Sequence, residues 1–394
     1  MSAMRPSYAD AGHSVRALGG HRFLFRLALA GVHVFAWVFI FNYFYFVEQD
    51  LARALARAAL LYALSYTVVC LVTPLSARLL RGGARRVLIF GALLAAVALV
   101  VLGAGLSGFW GGEYAPLAVI GFALALGVYR ALYWVPYEVE ASAQARARSS
   151  LFREFFVALA PALCGIFIAA SPSAPLTLLF MGAGVMALSL LPLYYLRDVH
   201  ESYSWGYRET FQELLMLQHR PVVVHAFLEG ISGAALLFFW PLAIFLITNW
   251  SYGMLGLVLS ITFLMALFLR APVRALTRRA RLYESRLTKI VFAVSPWLFR
   301  LLVATPLSIV LVDSYFYTTT PRRLGIDPFA FEQFTDGGSL MDEHTALKEI
   351  AQALGKIAVC GVGAFGALLL SVPLAFVAVF LLAALASAAS ALRR

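Results

Sequence analysis

The sequence is poor in charged residues. Asp, Glu, Lys and Arg make up 13% of its 394 residues, whereas apolar residues make up 62%. A soluble domain carries about 25% charged and about 45–50% apolar residues. The shortage of charge therefore excludes an ordinary soluble domain and indicates a chain whose surroundings are largely lipid.

Strand-like alternation of apolar and polar residues is also lacking. The apolar runs are instead roughly 20 residues long, which is the length that a helix needs to cross a bilayer. The sequence therefore predicts an all-α integral membrane protein with 12 transmembrane helices. The predicted spans are 23–47, 57–77, 87–108, 115–137, 152–171, 175–196, 221–248, 252–270, 288–303, 304–320, 350–371 and 373–392.

Cysteine is scarce, and the sequence motifs of common enzymes are missing. Cys70, Cys164 and Cys360 each lie within an apolar run, which implies neither a disulfide framework nor a metal site. The chain contains no His-Glu-x-x-His, no Gly-x-Ser-x-Gly and no P-loop. We therefore expect no enzymatic activity, no cofactor, no bound metal and no direct use of ATP.

The basic excess of the sequence follows the membrane topology. The net charge is +11, and with the N-terminus inside, 26 of the 31 Lys and Arg lie in or beside the N-terminal segment, the even-numbered loops and the C-terminus. This positive-inside pattern accounts for the charge without a nucleic-acid partner. It predicts a multi-pass protein of the bacterial inner membrane with both termini in the cytoplasm. The Arg-rich stretch 270–289 has two interpretations: topogenic charge, or contact with anionic lipid headgroups.

The chain divides into two similar halves. The longest mid-chain connection, 197–220, carries an amphipathic stretch and separates six predicted spans from six. Leu151–Pro161 aligns without gaps with Ala346–Lys356. The sequence thus predicts two pseudo-symmetric six-helix bundles. The predicted segments are a cytoplasmic N-terminal segment 1–22, an N-terminal bundle 23–196, a central cytoplasmic loop 197–220 and a C-terminal bundle 221–394.

Short stretches within the repeat supply candidate residues. The alignment superposes Arg153 and Glu154 on Lys348 and Glu349, at the inner mouth of the fifth span of each half. The fourth spans also resemble each other, since Tyr129–Trp134 is similar to Val312–Tyr317. We therefore include Trp134 and Tyr317 among the candidate binding residues.

Parallel six-span repeats with both termini inside are typical of one transporter architecture. In span count and loop polarity the chain resembles the major facilitator superfamily. Its loop Pro74–Arg86 is similar to the Gly-x-Leu-Ala-Asp-Arg-x-Gly-Arg-Arg signature of that family, but Ala77 replaces the Asp. The resemblance implies alternating access and a central cavity surrounded by spans one, four, seven and ten. It also implies gating roles for the basic residues of the loop, which are Arg78, Arg81, Arg85 and Arg86.

Each of those four cavity-lining spans carries an ionisable residue. Because a charge in the hydrocarbon core costs at least about 2.5–3.5 kcal/mol, each such residue calls for an explanation. We expect all four to open onto one water-filled cavity. They are His33, Arg130, Glu229 and Asp313.

Two interpretations remain open for each of these groups. Arg130 either binds an anionic group of the substrate or forms an ion pair with Asp313. Glu229 and Asp313 either couple transport to protons or are neutralised by Arg130 or Lys356. Three further residues extend the set: Lys356 within the eleventh span, Asn42 within the aromatic first span, and Arg300, which is predicted to snorkel toward the outer surface.

These expectations converge on a secondary transporter. It would move a small molecule across the lipid bilayer by alternating access, with protons as the coupling ion considered, and would act as a monomer. The alternative is a protein of the same fold that acts as a membrane scaffold or sensor without transport, and the missing Asp at Ala77 is the strongest argument for it.

Overall fold

A computed structural model describes residues 8–143, 150–171, 173–201, 203–279, 285–320 and 341–393, and the regular structure of those residues is helical. We number the twelve long helices in chain order. They are α1 (Tyr8–Glu48), α2 (Leu51–Leu79), α3 (Ala84–Leu106), α4 (Ala115–Ala143), α5 (Leu151–Ala170), α6 (Ala174–Leu188), α7 (Arg220–Ile247), α8 (Tyr252–Arg279), α9 (Arg286–Arg300), α10 (Pro306–Thr319), α11 (Met341–Leu369) and α12 (Val372–Arg393). A shorter linker helix, Tyr207–Leu215, lies between α6 and α7.

Ten of these helices are long and apolar enough to cross a membrane. The chain is therefore a multi-pass membrane protein. The ninth and tenth predicted spans coincide with α9 and α10, which are only 15 and 14 residues long. The predicted total of twelve crossing helices thus rests on two helices that are shorter than the rest.

Local sequence explains where several helices begin and bend. Asp50 caps α2, because its carboxylate accepts a hydrogen bond from the backbone N–H of Ala52 at 2.8 Å. Pro241 has no N–H to donate to the carbonyl of Leu237. Helix α7 adopts a π-helical segment there, at Ala235–Phe239.

Close packing joins the two predicted halves along two pairs of helices, α2 with α11 and α5 with α8. Glycines permit the approach of α5 and α8, since a Cβ on Gly256 would lie 2.1 Å from the carbonyl oxygen of Pro161. The two helices are also linked by a hydrogen bond of 2.8 Å from the backbone N–H of Ala162 to Ser260 Oγ. Such small-residue contacts are usual where membrane helices pack closely.

The segment after α6 is attached to both predicted halves. The backbone N–H of Ala84 donates to the carbonyl of Val199 at 2.8 Å, beside the start of α3. Ser204 Oγ donates to a carboxylate oxygen of Glu343, on α11, also at 2.8 Å. The central connection is therefore held by α3 on one side and by α11 on the other.

Candidate functional site

Arg130 and His33 form a buried pair between α4 and α1. Nη2 of Arg130 lies 2.9 Å from Nε2 of His33, and the two residues are 1% and 5% exposed. A guanidinium is always charged, so the neutral ring nitrogen of His33 accepts this hydrogen bond. The sequence predicted both residues as candidates, and the structure brings them together.

Tyr66 and Lys356 complete this group. The guanidinium carbon of Arg130 lies 4.7 Å from the centre of the Tyr66 ring, and Lys356 Nζ lies 4.3 Å from the same centre. Lys356 comes from α11, whereas His33, Tyr66 and Arg130 come from α1, α2 and α4. We call these four residues the central cluster. It spans the boundary between the predicted halves, and both cations lie at cation–π distance from one aromatic ring.

An aromatic wall links α1, α2 and α7. Trp37 meets Phe238 edge-on, with ring centres 5.5 Å apart, and Tyr62 stacks on Phe238 at 4.6 Å. Tyr62 also shares a hydrogen bond of 3.3 Å with Tyr66 of the central cluster. Polar side chains of the cluster are therefore continuous with apolar contacts between the predicted halves.

Sequence reasoning missed several buried polar residues near this region. Gln352 lies one helical turn before Lys356 on α11 and is 2% exposed; among the described residues, neither amide atom of its side chain has a hydrogen-bond partner. Glu138 and Glu140 are buried near the end of α4. They follow directly after the predicted fourth span, so their sequence position suggested a loop. The residues Arg-Ala-Leu-Tyr-Trp-Val-Pro-Tyr before them continue the helical pattern and would have been the signal.

The predicted pairing of Arg130 with Asp313 is wrong. Asp313 instead accepts a hydrogen bond of 2.7 Å from Arg300 Nη2 and another of 2.7 Å from the indole N–H of Trp240. Arg300 is 2% exposed, so the expectation that it snorkels outward is also wrong. Its guanidinium lies 4.5 Å from the ring centre of Trp297. The physical reason is that a carboxylate and three aromatic rings surround this cation inside the fold.

Glu229 lies apart from the central cluster. It is 6% exposed and lines a cavity of about 560 Å³ that neither Arg130 nor Asp313 lines. One carboxylate oxygen of Glu229 is 3.8 Å from His225 Nδ1, and His225 Nε2 is 3.1 Å from Ser390 Oγ. The expectation that four ionisable groups open onto one cavity is therefore wrong, although His33 and Arg130 do meet.

The basic loop between α2 and α3 packs against the segment after α6. Arg81 donates to the carbonyl of Tyr203 at 2.8 Å, and the backbone N–H of Arg85 donates to Asp198 at 3.0 Å. Asp198 thus supplies a carboxylate to the loop in which Ala77 replaces the family's Asp. Arg78 and Arg86 are exposed.

The repeated pairs at the inner mouths differ in their contacts. Glu154 forms an ion pair with Arg26 of α1 at 2.8 Å, and Arg153 donates to the carbonyl of Gly19 at 3.1 Å. Their counterparts lie on α11, where Glu349 is buried and Lys348 is partly buried. Each pair stays a gating prediction, and these contacts of the first pair lie on the N-terminal side of the predicted central loop.

The three other candidates occupy separate positions. Asn42 donates a short hydrogen bond to the hydroxyl of Tyr252, at the start of α8. Trp134 is buried on α4 beside Tyr137. Tyr317 is buried on α10, with its ring centre 5.5 Å from that of Phe263. Asn42 therefore belongs to a contact between the predicted halves, whereas these ring contacts of Trp134 and Tyr317 lie inside them.

The chemistry available at the central cluster is the recognition of an anionic group. Guanidinium and ammonium groups bind carboxylate and phosphate oxygens, and the guanidinium can do so with two parallel bonds. Among the described residues, no group of three or more His, Cys, Asp or Glu is arranged to hold a metal ion.

No protein-family model matches the sequence, and no curated protein matches it. Solved structures do share its fold. A D-xylose–proton symporter is 16% identical, with 97% of each chain covered and a TM-score of 0.63. A POT family transporter in complex with 5-aminolevulinic acid is 11% identical, covering 95% of this chain and 94% of that chain, with a TM-score of 0.62.

A third similar structure is a bacterial homologue of the iron transporter ferroportin in its inward-facing state. It is 16% identical, and the alignment covers 95% of this chain and 98% of that chain with a TM-score of 0.60. These proteins are membrane transporters and not enzymes. The chain has the fold of these transporters along nearly its whole length, and this is the major facilitator fold that the sequence predicted.

Proposed function

We propose that this chain is a secondary active transporter, and that the central cluster binds its substrate. The observation that carries the proposal is the meeting of His33, Tyr66 and Arg130 with Lys356 at one buried point. A buried cation in a membrane protein is costly, and such groups commonly mark a substrate or ion pathway. Here two cations occupy one point, in a chain folded like transporters.

The position of the cluster supports alternating access. Lys356 belongs to α11, and the other three residues belong to α1, α2 and α4, so the cluster lies between segments 23–196 and 221–394. In this proposal the two segments form the two six-helix bundles. When bundles rock about a central site, contacts across that site are the ones that must open and re-form. A substrate anion between Arg130 and Lys356 would be released when those contacts separate.

The proposed substrate is a small anion or zwitterion. Its acidic group would contact Arg130 and Lys356, while His33 keeps the guanidinium oriented. Proton coupling is assigned to Glu229, since Asp313 is already bound by Arg300 and Trp240. The protein would act as a monomer in a bacterial inner membrane, with both termini cytoplasmic, as the positive-inside pattern predicts.

The test begins with ligand-dependent stability of the purified protein. Thermal unfolding would be followed with a panel of dicarboxylates, amino acids, sugar phosphates, nucleosides and pentoses, because only bound solutes stabilise the folded state. We expect a selective shift from acidic or zwitterionic members and accumulation of the same solutes in proteoliposomes. Arg130→Gln and Lys356→Gln should abolish both effects.

Arg53→Gln is the matched control, since Arg53 is an exposed cation at the start of α2. It should keep both the stabilisation and the uptake. Retention of both by Arg130→Gln and Lys356→Gln would contradict the assignment of the site. Selective stabilisation without any flux would instead favour a non-transporting sensor.

A further inference from the structure

A second cavity lies within the predicted C-terminal half. It has a volume of about 560 Å³ and is lined by residues of α7, α8, α9, α10 and α12. None of the four residues of the central cluster lines it. Its volume falls within the roughly 300–1,000 Å³ that small-molecule sites occupy. The proposed transport function does not account for this cavity.

Three cations stand on two helices that border the cavity. Arg274 and Arg278 lie in the last turns of α8, and Lys289 lies in the first turn of α9. Among the residues that the structure describes, no carboxylate forms an ion pair with any of the three. The positive charge of this wall is therefore available to a ligand.

Hydroxyl groups line another part of the cavity. Ser387 Oγ lies 3.1 Å from Ser232 Oγ and accepts a hydrogen bond of 2.9 Å from the indole N–H of Trp297. Ser390, which also lines the cavity, lies 3.1 Å from His225. These hydroxyls are ordered by neighbouring side chains and can still exchange hydrogen bonds with a polar ligand.

Apolar side chains complete the lining. Leu228 of α7, Phe292 of α9 and Phe316 of α10 contribute carbon surface beside the cations and the hydroxyls. One cavity therefore combines positive charge, hydrogen-bonding groups and apolar surface. That combination matches a ligand that carries all three kinds of group.

We propose that this cavity binds a phosphate ester with an apolar portion. The phosphate would contact Arg274, Arg278 and Lys289, since several acceptor oxygens can engage cations on two helices at once. Hydroxyl groups of the ligand would bond to Ser387 or Ser390, and its carbon chain would lie against the phenylalanines. This chemistry belongs both to the headgroup of an anionic phospholipid and to a soluble phosphate ester.

The experiment measures binding to the purified full chain and does not depend on transport. The probes are dioleoyl phosphatidylglycerol in mixed micelles and glycerol 3-phosphate in the same detergent, with dioleoyl phosphatidylcholine as the lipid without net charge. We expect Arg274→Gln with Lys289→Gln to weaken Kd about ten- to hundredfold, because two charge-assisted contacts are lost.

Two comparison variants make the test specific. Arg78→Gln with Arg86→Gln removes two exposed cations from the loop between α2 and α3, outside the cavity lining, and should leave Kd unchanged. Ala293→Phe fills the cavity and keeps every cation, so it should weaken binding as well. It also serves if the doubly neutralised variant fails to fold.

The two probes distinguish the sources of the ligand. Binding of phosphatidylglycerol alone identifies a lipid headgroup, and binding of glycerol 3-phosphate as well identifies a soluble phosphate ester; both support the proposal. Three results would overturn it: no binding of either probe, equal binding of phosphatidylcholine, or full binding by Ala293→Phe. Loss of transport with binding intact would leave this site standing and would count only against the proposed function.

Discussion

Asp313 shows how a buried charge is accommodated by its neighbours. Its two carboxylate oxygens accept hydrogen bonds from Arg300 and from the indole of Trp240. The guanidinium of Arg300 also lies 4.7 Å from the ring centre of Phe316. A carboxylate whose oxygens are already bound in this way holds helices α7, α9 and α10 together.

Removing the charge of Asp313 should therefore destabilise the protein. In Asp313→Asn, the side chain of Arg300, which is 0% exposed, loses its counter-charge. Breaking a buried ion pair on one side costs about 3–5 kcal/mol. The measurement is unfolding of the purified protein in detergent, followed by tryptophan fluorescence.

Glu48→Gln supplies the comparison for that measurement. Glu48 pairs with Arg57 at 2.6 Å, but the Arg57 side chain is 53% exposed, so the loss should be no more than about 1 kcal/mol. If Asp313→Asn unfolds no more easily than Glu48→Gln, the ion pair is not a main support of the fold. A coupling role for Asp313 would then regain weight.

Glu229 is the residue at which we expect proton coupling. In Glu229→Gln the side chain keeps its size and its hydrogen-bonding capacity but can no longer take up and release a proton. We expect proteoliposomes of this variant to lose uphill uptake driven by a proton gradient, while exchange of solute across the membrane continues.

The control for this prediction is Glu113→Gln, because Glu113 is exposed in the connection before α4. It should couple normally. Gradient-driven accumulation by Glu229→Gln at the rate of the unmodified protein would assign coupling to another group.

At the scale of helices, glycine decides how closely neighbours approach. A Cβ on Gly355 of α11 would lie 2.1 Å from the carbonyl oxygen of Phe227 on α7. A Cβ on Gly361, on the same helix, would meet no neighbouring atom within 4 Å. The two glycines therefore differ in their surroundings while sharing one helix.

We expect Gly355→Ala to destabilise the protein by about 1–3 kcal/mol, the usual cost of overpacking. Gly361→Ala should be neutral or slightly stabilising, since alanine favours the helix. Thermal unfolding of the two variants side by side tests this difference. Equal unfolding temperatures would mean that α7 and α11 are free to separate.

The helices themselves were largely predictable, because apolar length and composition are properties of a continuous segment. The predicted spans coincide with α1 to α12, but the ends differ. Helix α1 begins at Tyr8, well before the predicted residue 23. Helix α10 begins at Pro306, after Thr305 caps it by accepting from the N–H of Ser308 at 3.2 Å. Helix ends depend on such caps, which hydropathy does not register.

At the scale of the whole molecule, the two predicted halves meet at both ends of the bundle. Near the start of α8, Asn42 bonds to Tyr252, and Phe41 stacks on Trp250 with ring centres 5.7 Å apart. Near the other end, Cys70 of α2 faces the carbonyl of Ile350 on α11 at 3.7 Å. Alternating access requires that one of these sets open at a time.

Linking Asn42 to Tyr252 should therefore arrest transport. In a chain without native cysteines, Asn42→Cys and Tyr252→Cys would be joined by a bifunctional methanethiosulfonate. We expect solute uptake by proteoliposomes to stop and to return when dithiothreitol cleaves the link. Asn42→Cys alone, treated in the same way, should be unaffected. Undiminished uptake by the linked protein would exclude movement at this contact.

The sequence by itself determined the membrane class, the helices and the major facilitator fold. Hydropathy and charge act residue by residue along the chain, so each segment reports its own surroundings. The sequence also identified His33, Arg130, Glu229, Asp313 and Lys356, since an ionisable group in an apolar run stands out.

Only the tertiary structure decided how those groups are partnered. Arg130 bonds to His33, 97 positions away, and Lys356 meets Tyr66 from the other predicted half. Asp313 pairs with Arg300 and leaves Arg130 to the central cluster. The pairing energy depends on distance and burial in three dimensions, and several partners fit the same pattern along the chain. Packing selects one of them.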